Sequence, residues 1–131
     1  MAQEYADIVN AFAAYERSIR EGRYYDAHED LEVIWHPSRF EDRDEVRLWK
    51  GFINAAVSFE LIRRGRSEPS RRAWNTYQKY AVLSEGFVTP RKELYVTMSQ
   101  IIETHYANLQ RGGNHVGVYG GDGVSPCVQT V

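Results

Sequence analysis

Tyr24-Tyr25-Asp26-Ala27-His28-Glu29-Asp30-Leu31-Glu32-Val33-Ile34-Trp35 puts a histidine, four acids and three large aromatic rings within about three helical turns. At about 100° per residue, Tyr24, Ala27, Leu31, Ile34 and Trp35 fall on one side of a helix, which predicts an amphipathic helix facing a core. Asp26 and Asp30 point the other way, toward solvent. His28 and Glu32 stand one turn apart at the border of the apolar side, with Glu29 further out. The helix is expected to end before Pro37, because the residue preceding a proline avoids helical geometry.

Working outward, an earlier helix is predicted from about Glu4 to Arg20, with Tyr5, Ile8, Phe12, Tyr15 and Ile19 as its stripe. Gly22 closes it, so the two helices should fold back as a hairpin. After the polar break 37–44, Asp42 and Glu45 have the spacing of a capping-box variant, and a third helix runs to Ile62. Trp49, Phe52, Ile53, Ala56, Phe59 and Ile62 form its main face, flanked by Val46, Val57 and Leu61. A helix apolar this far round is central in a bundle or covered by a second subunit. Gly51, Ala55, Ala56 and Ser58 would admit a close neighbour. Gly65 ends this helix, and Ser67-Glu68-Pro69 opens a fourth whose inner face holds Ala73, Trp74, Tyr77, Tyr80, Ala81 and Ser84, with Gly86 closing it. Thr89 and Pro90 start a fifth, with Leu94, Tyr95, Met98, Ile101, Ile102, His105, Tyr106 and Leu109 in one stripe. The reading is therefore an all-α bundle of about five helices, two hairpins plus a C-terminal helix, over residues 1–110. Residues 111–131, which hold six of the ten glycines, are expected to form a glycine-rich tail.

Composition narrows the function classes. A chain of 131 residues suits one core, and a net charge of −2 gives no global case for nucleic acid or an anionic membrane. Cys127 is the single cysteine, which excludes an internal disulfide and fits a reducing compartment. No apolar run reaches membrane-spanning length and no signal-peptide pattern opens the chain, so a cytoplasmic protein is expected. The apolar girth of the third helix points to a homo-oligomer.

Three readings are open for His28 and Glu32. They form a hydrogen-bonded pair at the core boundary, or half of a divalent-metal site, or a metal-free acid/base pair. His-Glu-Asp-Leu-Glu is not a zincin motif, because Glu32 stands where a second histidine is required. Glu60 projects near Trp49, Ile53 and Ala56; it either reaches an arginine or solvent, or joins His28 and Glu32 on a metal. His105, inside an apolar stripe, reads as a satisfied core residue. Arg63, Arg64, Arg66, Arg71 and Arg72 cluster at the Gly65 turn, either paired with acids such as Glu60 and Glu68 or helping a helix start to bind an anion.

Tyr25-Asp-Ala-His-Glu-Asp-Leu-Glu-Val-Ile-Trp35, Gly51-Phe-Ile-Asn-Ala-Ala56 and Arg63-Arg-Gly65, in that order, resemble the motifs of the family catalogued as domain of unknown function 309. The resemblance covers about residues 12–83 and points to His28, Glu29, Glu32, Trp35, Gly51 and Arg64. Asn54 and Arg66 stand where the family has Gln and Asn. It implies an all-helical fold and no assigned activity. Two function classes follow from the residues. One is a binding module with a polar pocket around His28, Glu32 and Trp35, with Asn54, Arg64 and Arg71 as further candidates for a small molecule or anion. The other is a metal-dependent hydrolase or other small-molecule enzyme with His28, Glu29 and Glu32 as catalytic residues and His28, Glu32 and Glu60 as metal ligands.

Overall fold

The computed structural model describes residues 2–86 and 89–112, and these form helices throughout: α1 (Ala2–Arg20), α2 (Tyr24–Ser38), α3 (Asp44–Arg63), α4 (Ser67–Ala81), a single turn α5 (Leu83–Gly86) and α6 (Lys92–Gly112). The stretch expected to form a tail lies outside the described residues, apart from Arg111 and Gly112, which finish α6.

Two hairpins turn by the same device. At the end of α1 the Gly22 N–H donates to the Ile19 carbonyl at 3.1 Å and the Arg23 N–H to the Ser18 carbonyl at 2.8 Å. At the end of α3 the Gly65 N–H donates to Ile62 at 2.9 Å and the Arg66 N–H to Leu61 at 2.8 Å. This paired closure needs a left-handed residue at its centre, and both glycines have φ of 74°. Each helix thus satisfies its last carbonyls while the chain reverses within three residues.

α3 is the centre of the bundle, packed against α2, α4, α5 and α6. Val46, Leu48, Trp49, Phe52, Ile53, Ala55, Ala56 and Phe59 are all buried on it. The chain's own helices cover these residues, while Val57, Leu61 and Ile62 of the same helix are only partly buried. Gly51 is where α4 comes closest: a Cβ there would lie 3.0 Å from the Tyr80 Cβ. Nearby, the Ser58 hydroxyl bonds both the Ser70 carbonyl and its hydroxyl at 2.9 Å, which ties α3 to the start of α4. α6 seals the bundle with rings, Tyr95 against Phe12 and Phe52, and Tyr106 stacked on Trp74 at 3.9 Å.

Five local expectations are corrected. α2 continues through Pro37 to Ser38, because a proline in a last turn removes only the bond to Val33, whose side chain lies on an exposed face. Tyr5 extends the α1 stripe in sequence but is half exposed, with the Arg91 guanidinium 6.0 Å from its ring centroid. Asp30 is half-buried and accepts a bond from the Ser18 hydroxyl at 2.7 Å instead of facing open solvent. No capping box opens α3: Arg43 precedes it without a side-chain cap, Asp42 and Asp44 pair with Arg47, and Glu45 points inward. The fourth helix also stops earlier than its stripe suggested, at Ala81, and Ser84 belongs to the separate turn α5.

Glu45 anchors α6. Arg91 donates to it through Nε at 2.5 Å and Nη2 at 2.8 Å, the Tyr95 hydroxyl donates to the same carboxylate, and Trp49 Nε1 donates to Tyr95 at 2.9 Å. Burial pushes this carboxyl up, but the bonds from Arg91 and Tyr95 and the charges of Arg91 and Arg43 outweigh it, so Glu45 titrates below the ordinary value.

Candidate functional site

The polar border of α2 meets the C-terminal half of α3 across a cavity of about 270 Å³. Tyr24, Tyr25 and His28 line it from α2; Ala56, Val57, Glu60 and Leu61 line it from α3, with Arg64 at the turn. The helical repeat explains the lining. Positions 57, 60, 61 and 64 of α3 share a face, as do 24 and 28 of α2, so the hairpin geometry sets a histidine and a carboxylate–arginine group opposite each other.

His28 Nε2 lies 3.4 Å from Glu32 and Nδ1 lies 3.8 Å from Glu29. The Nδ1 atom is buried without a hydrogen-bond partner, and the Tyr25 ring lies 5.8 Å from the imidazole. Glu32 flanks the histidine without lining the cavity, and Glu29 is exposed. Glu60 is held by both neighbouring arginines, accepting from Arg63 at 2.6 Å and from Arg64 Nε at 2.7 Å. One carboxylate between two guanidinium groups leaves the cavity mouth with a surplus of positive charge. Among the described residues, no three His, Cys, Asp or Glu side chains converge as a metal-holding group.

The remaining candidates are scattered. Trp35 lies beneath the Lys50 ammonium, 4.3 Å from the ring centroid, and Asn54 donates to the Lys50 carbonyl at 2.9 Å, so neither reaches the cavity. Arg71 and Arg72 pair with Glu68 on the surface. The arginine cluster is thus mostly spent on Glu60 and Glu68, the pairing that the sequence offered first.

Tyr24 extends the site inward. Its hydroxyl is 2.6 Å from His105 Nε2 of α6, and the His105 ring packs 4.9 Å from Phe59. Burial, with a smaller push from Arg20, lowers His105 to about 4; burial raises the Tyr24 hydroxyl to about 12. Both groups are neutral at neutral pH and share one proton position between them, so His105 is a satisfied core residue. The apolar lining and the two tyrosines were absent from the candidates read in sequence. Tyr25 and Val57 fall outside the core stripes, and their use emerges only when the two helices are set side by side.

No curated protein and no solved structure matches the chain. Residues 12–73 match the model of the family described as Domain of unknown function (DUF309), a stretch running from within α1 to Ala73 of α4 and containing every residue that lines the cavity. Over this segment the chain is similar to that family.

Proposed function

We propose that the chain is a binding module that takes a small molecule in the α2–α3 cavity. One observation carries the reading. His28 and Arg64, which come from two separate sequence motifs, face one cavity whose walls are otherwise Ala56, Val57, Leu61, two tyrosine rings and the arginine-paired carboxylate of Glu60. A site of this kind suits a ligand with an apolar body and one anionic or carbonyl end. The body packs on the aliphatic wall and the exposed Tyr25 ring. The polar end takes the arginine N–H groups that Glu60 leaves over, since Arg64 uses Nε on that carboxylate. His28, fixed beside Glu32, supplies a second polar contact.

The donor set supports binding above metal-dependent hydrolysis. A catalytic metal needs about three protein ligands. His28 and Glu32 supply two, and the third candidate, Glu60, is already neutralised by two guanidinium groups.

The test is a fragment screen by backbone-amide NMR with small aryl and alkyl carboxylates and phosphates. Binders are expected to shift amides of residues 24–28 and 56–64. Arg64→Met, at a side chain 62% exposed, should abolish those shifts without changing the unfolding temperature. Shifts that persist in Arg64→Met, or a library with no binder at this cavity, would remove the reading.

A further inference from the structure

Tyr24 opens α2 and, with Tyr25 and His28, forms the α2 wall of the cavity. That first turn has little local support. Arg23 precedes it without a side-chain cap, and its ion pair with Asp26 lies on the surface. Uncapped helix starts fray, so a wall built on one needs an anchor from elsewhere in the fold.

Tyr24 supplies it. The residue is buried, and its hydroxyl reaches α6, where it lies 2.6 Å from His105 Nε2. The Phe59 ring sits 5.5 Å from Tyr24 and 4.9 Å from His105, so rings from α2, α3 and α6 form one cluster. The direction of the bond follows from the phenol's single proton. Among the described residues the Tyr24 hydroxyl has no other hydrogen-bond partner. Were the imidazole to donate from Nε2, the phenol proton would be buried without an acceptor. Tyr24 therefore donates, and His105 carries its own proton on Nδ1. His105 also lines a cleft of about 270 Å³ between α1 and α6, which gives Nδ1–H a route to water.

On the reading of the α2–α3 cavity as a binding site, we propose that His105 is its positioning residue. By accepting the Tyr24 hydroxyl it docks the first turn of α2 on α6 and fixes the spacing of the two cavity walls. His105 stands behind Tyr24, outside the lining, so it acts through that ring and not on the ligand. It also lies outside residues 12–73, so a site whose whole lining falls within that segment is held in shape by a helix beyond it.

The first measurement needs no ligand. Nitrogen NMR of the full chain at neutral pH should show His105 protonated on Nδ1 and bare on Nε2; a protonated Nε2 would overturn the proposal. Two variants then separate positioning from packing. His105→Phe keeps a ring and removes the acceptor, whereas His105→Gln sets an amide oxygen near the same point. Against the carboxylate and phosphate fragments, His105→Phe should lower affinity about tenfold, the scale of one lost buried hydrogen bond. His105→Gln should restore most of it. Unchanged affinity in His105→Phe, or equal losses in the two variants, would sink the idea. If the wild-type chain binds no fragment, the binding reading falls by itself and the positioning role is judged by hydrogen exchange. The Ala27 amide closes the first turn on the Arg23 carbonyl at 3.0 Å. It should exchange about tenfold faster in His105→Phe than in His105→Gln; equal rates would count against the role. Should His105→Phe fail to fold, His105→Leu takes its place in both comparisons.

Discussion

At the scale of single residues, His105 ties stability to pH. Its folded pKa of about 4 lies below the ordinary 6.5, so between these values the unfolded chain binds more protons than the folded one. Its contribution is fully present above pH 6.5 and is lost as pH falls toward 4, to a total of about 3 kcal/mol. Urea unfolding at pH 7 and pH 4.5 should show this loss, and His105→Gln should flatten the profile over that window. His28 and Glu32 are expected to couple far more weakly. At 3.4 Å, with side chains 27% and 31% exposed, a double-mutant cycle should return a coupling below about 1 kcal/mol. The histidine in the apolar stripe of α6 was legible because a stripe position fixes burial, and burial decides its charge. Trp35 was misplaced for a related reason: it sits at the edge of the α2 stripe, where the neighbour that meets it, Lys50, is set by packing and not by the wheel.

At the scale of elements, the clamp between α3 and α6 was invisible in sequence. Glu45 and Arg91 are 46 positions apart, and no local period relates them. Glu45 looked like part of a helix cap because its spacing from Asp42 fits one, yet a buried carboxylate takes the strongest donors within reach, and these come from α6. Arg91→Met should destabilise the fold by about 3–5 kcal/mol, because it strands a charge in the interior. Replacing Glu45 and Arg91 together by apolar residues should cost much less, which a thermal-unfolding comparison of the three variants would check. The titration of Glu45 adds a second acid-sensitive window. Its stabilising contribution is present above the ordinary carboxyl range and is lost as pH drops through its lowered value, below the window of His105. The α3–α4 contact was readable, since a glycine among alanines and serines announces a close neighbour. Gly51→Val should lower stability by about 2 kcal/mol or more, because the Cβ alone would already meet Tyr80 at 3.0 Å.

At the scale of the molecule, the two hairpins and their order could be read from stripes and two glycines, while the α2–α3 cavity could not. It is a product of how hairpin faces meet, a relation that depends on packing angles and not on period. α6 shows how far the pieces depend on one another. It lies outside the family-matched residues 12–73, yet Phe12, Tyr24, Trp49, Phe59 and Trp74 all lean on it. A fragment ending at residue 86 would present these faces to water. It should keep helical circular dichroism and lose its cooperative thermal transition, binding a hydrophobic dye. Trp74→Ala in the full chain should cost about 3–5 kcal/mol, since it removes the ring on which Tyr106 rests.

That ring pair has an optical consequence. The Trp74 indole and the Tyr106 phenol lie parallel within 4° at 3.9 Å, close enough for their electronic transitions to couple. A fixed chiral arrangement of two coupled chromophores gives a strong near-ultraviolet dichroic band, and proximity of this kind lets the phenol pass its excitation to the indole. The chain therefore carries a built-in label for the seating of its last helix, one that a spectrometer can follow in stopped flow without any added dye.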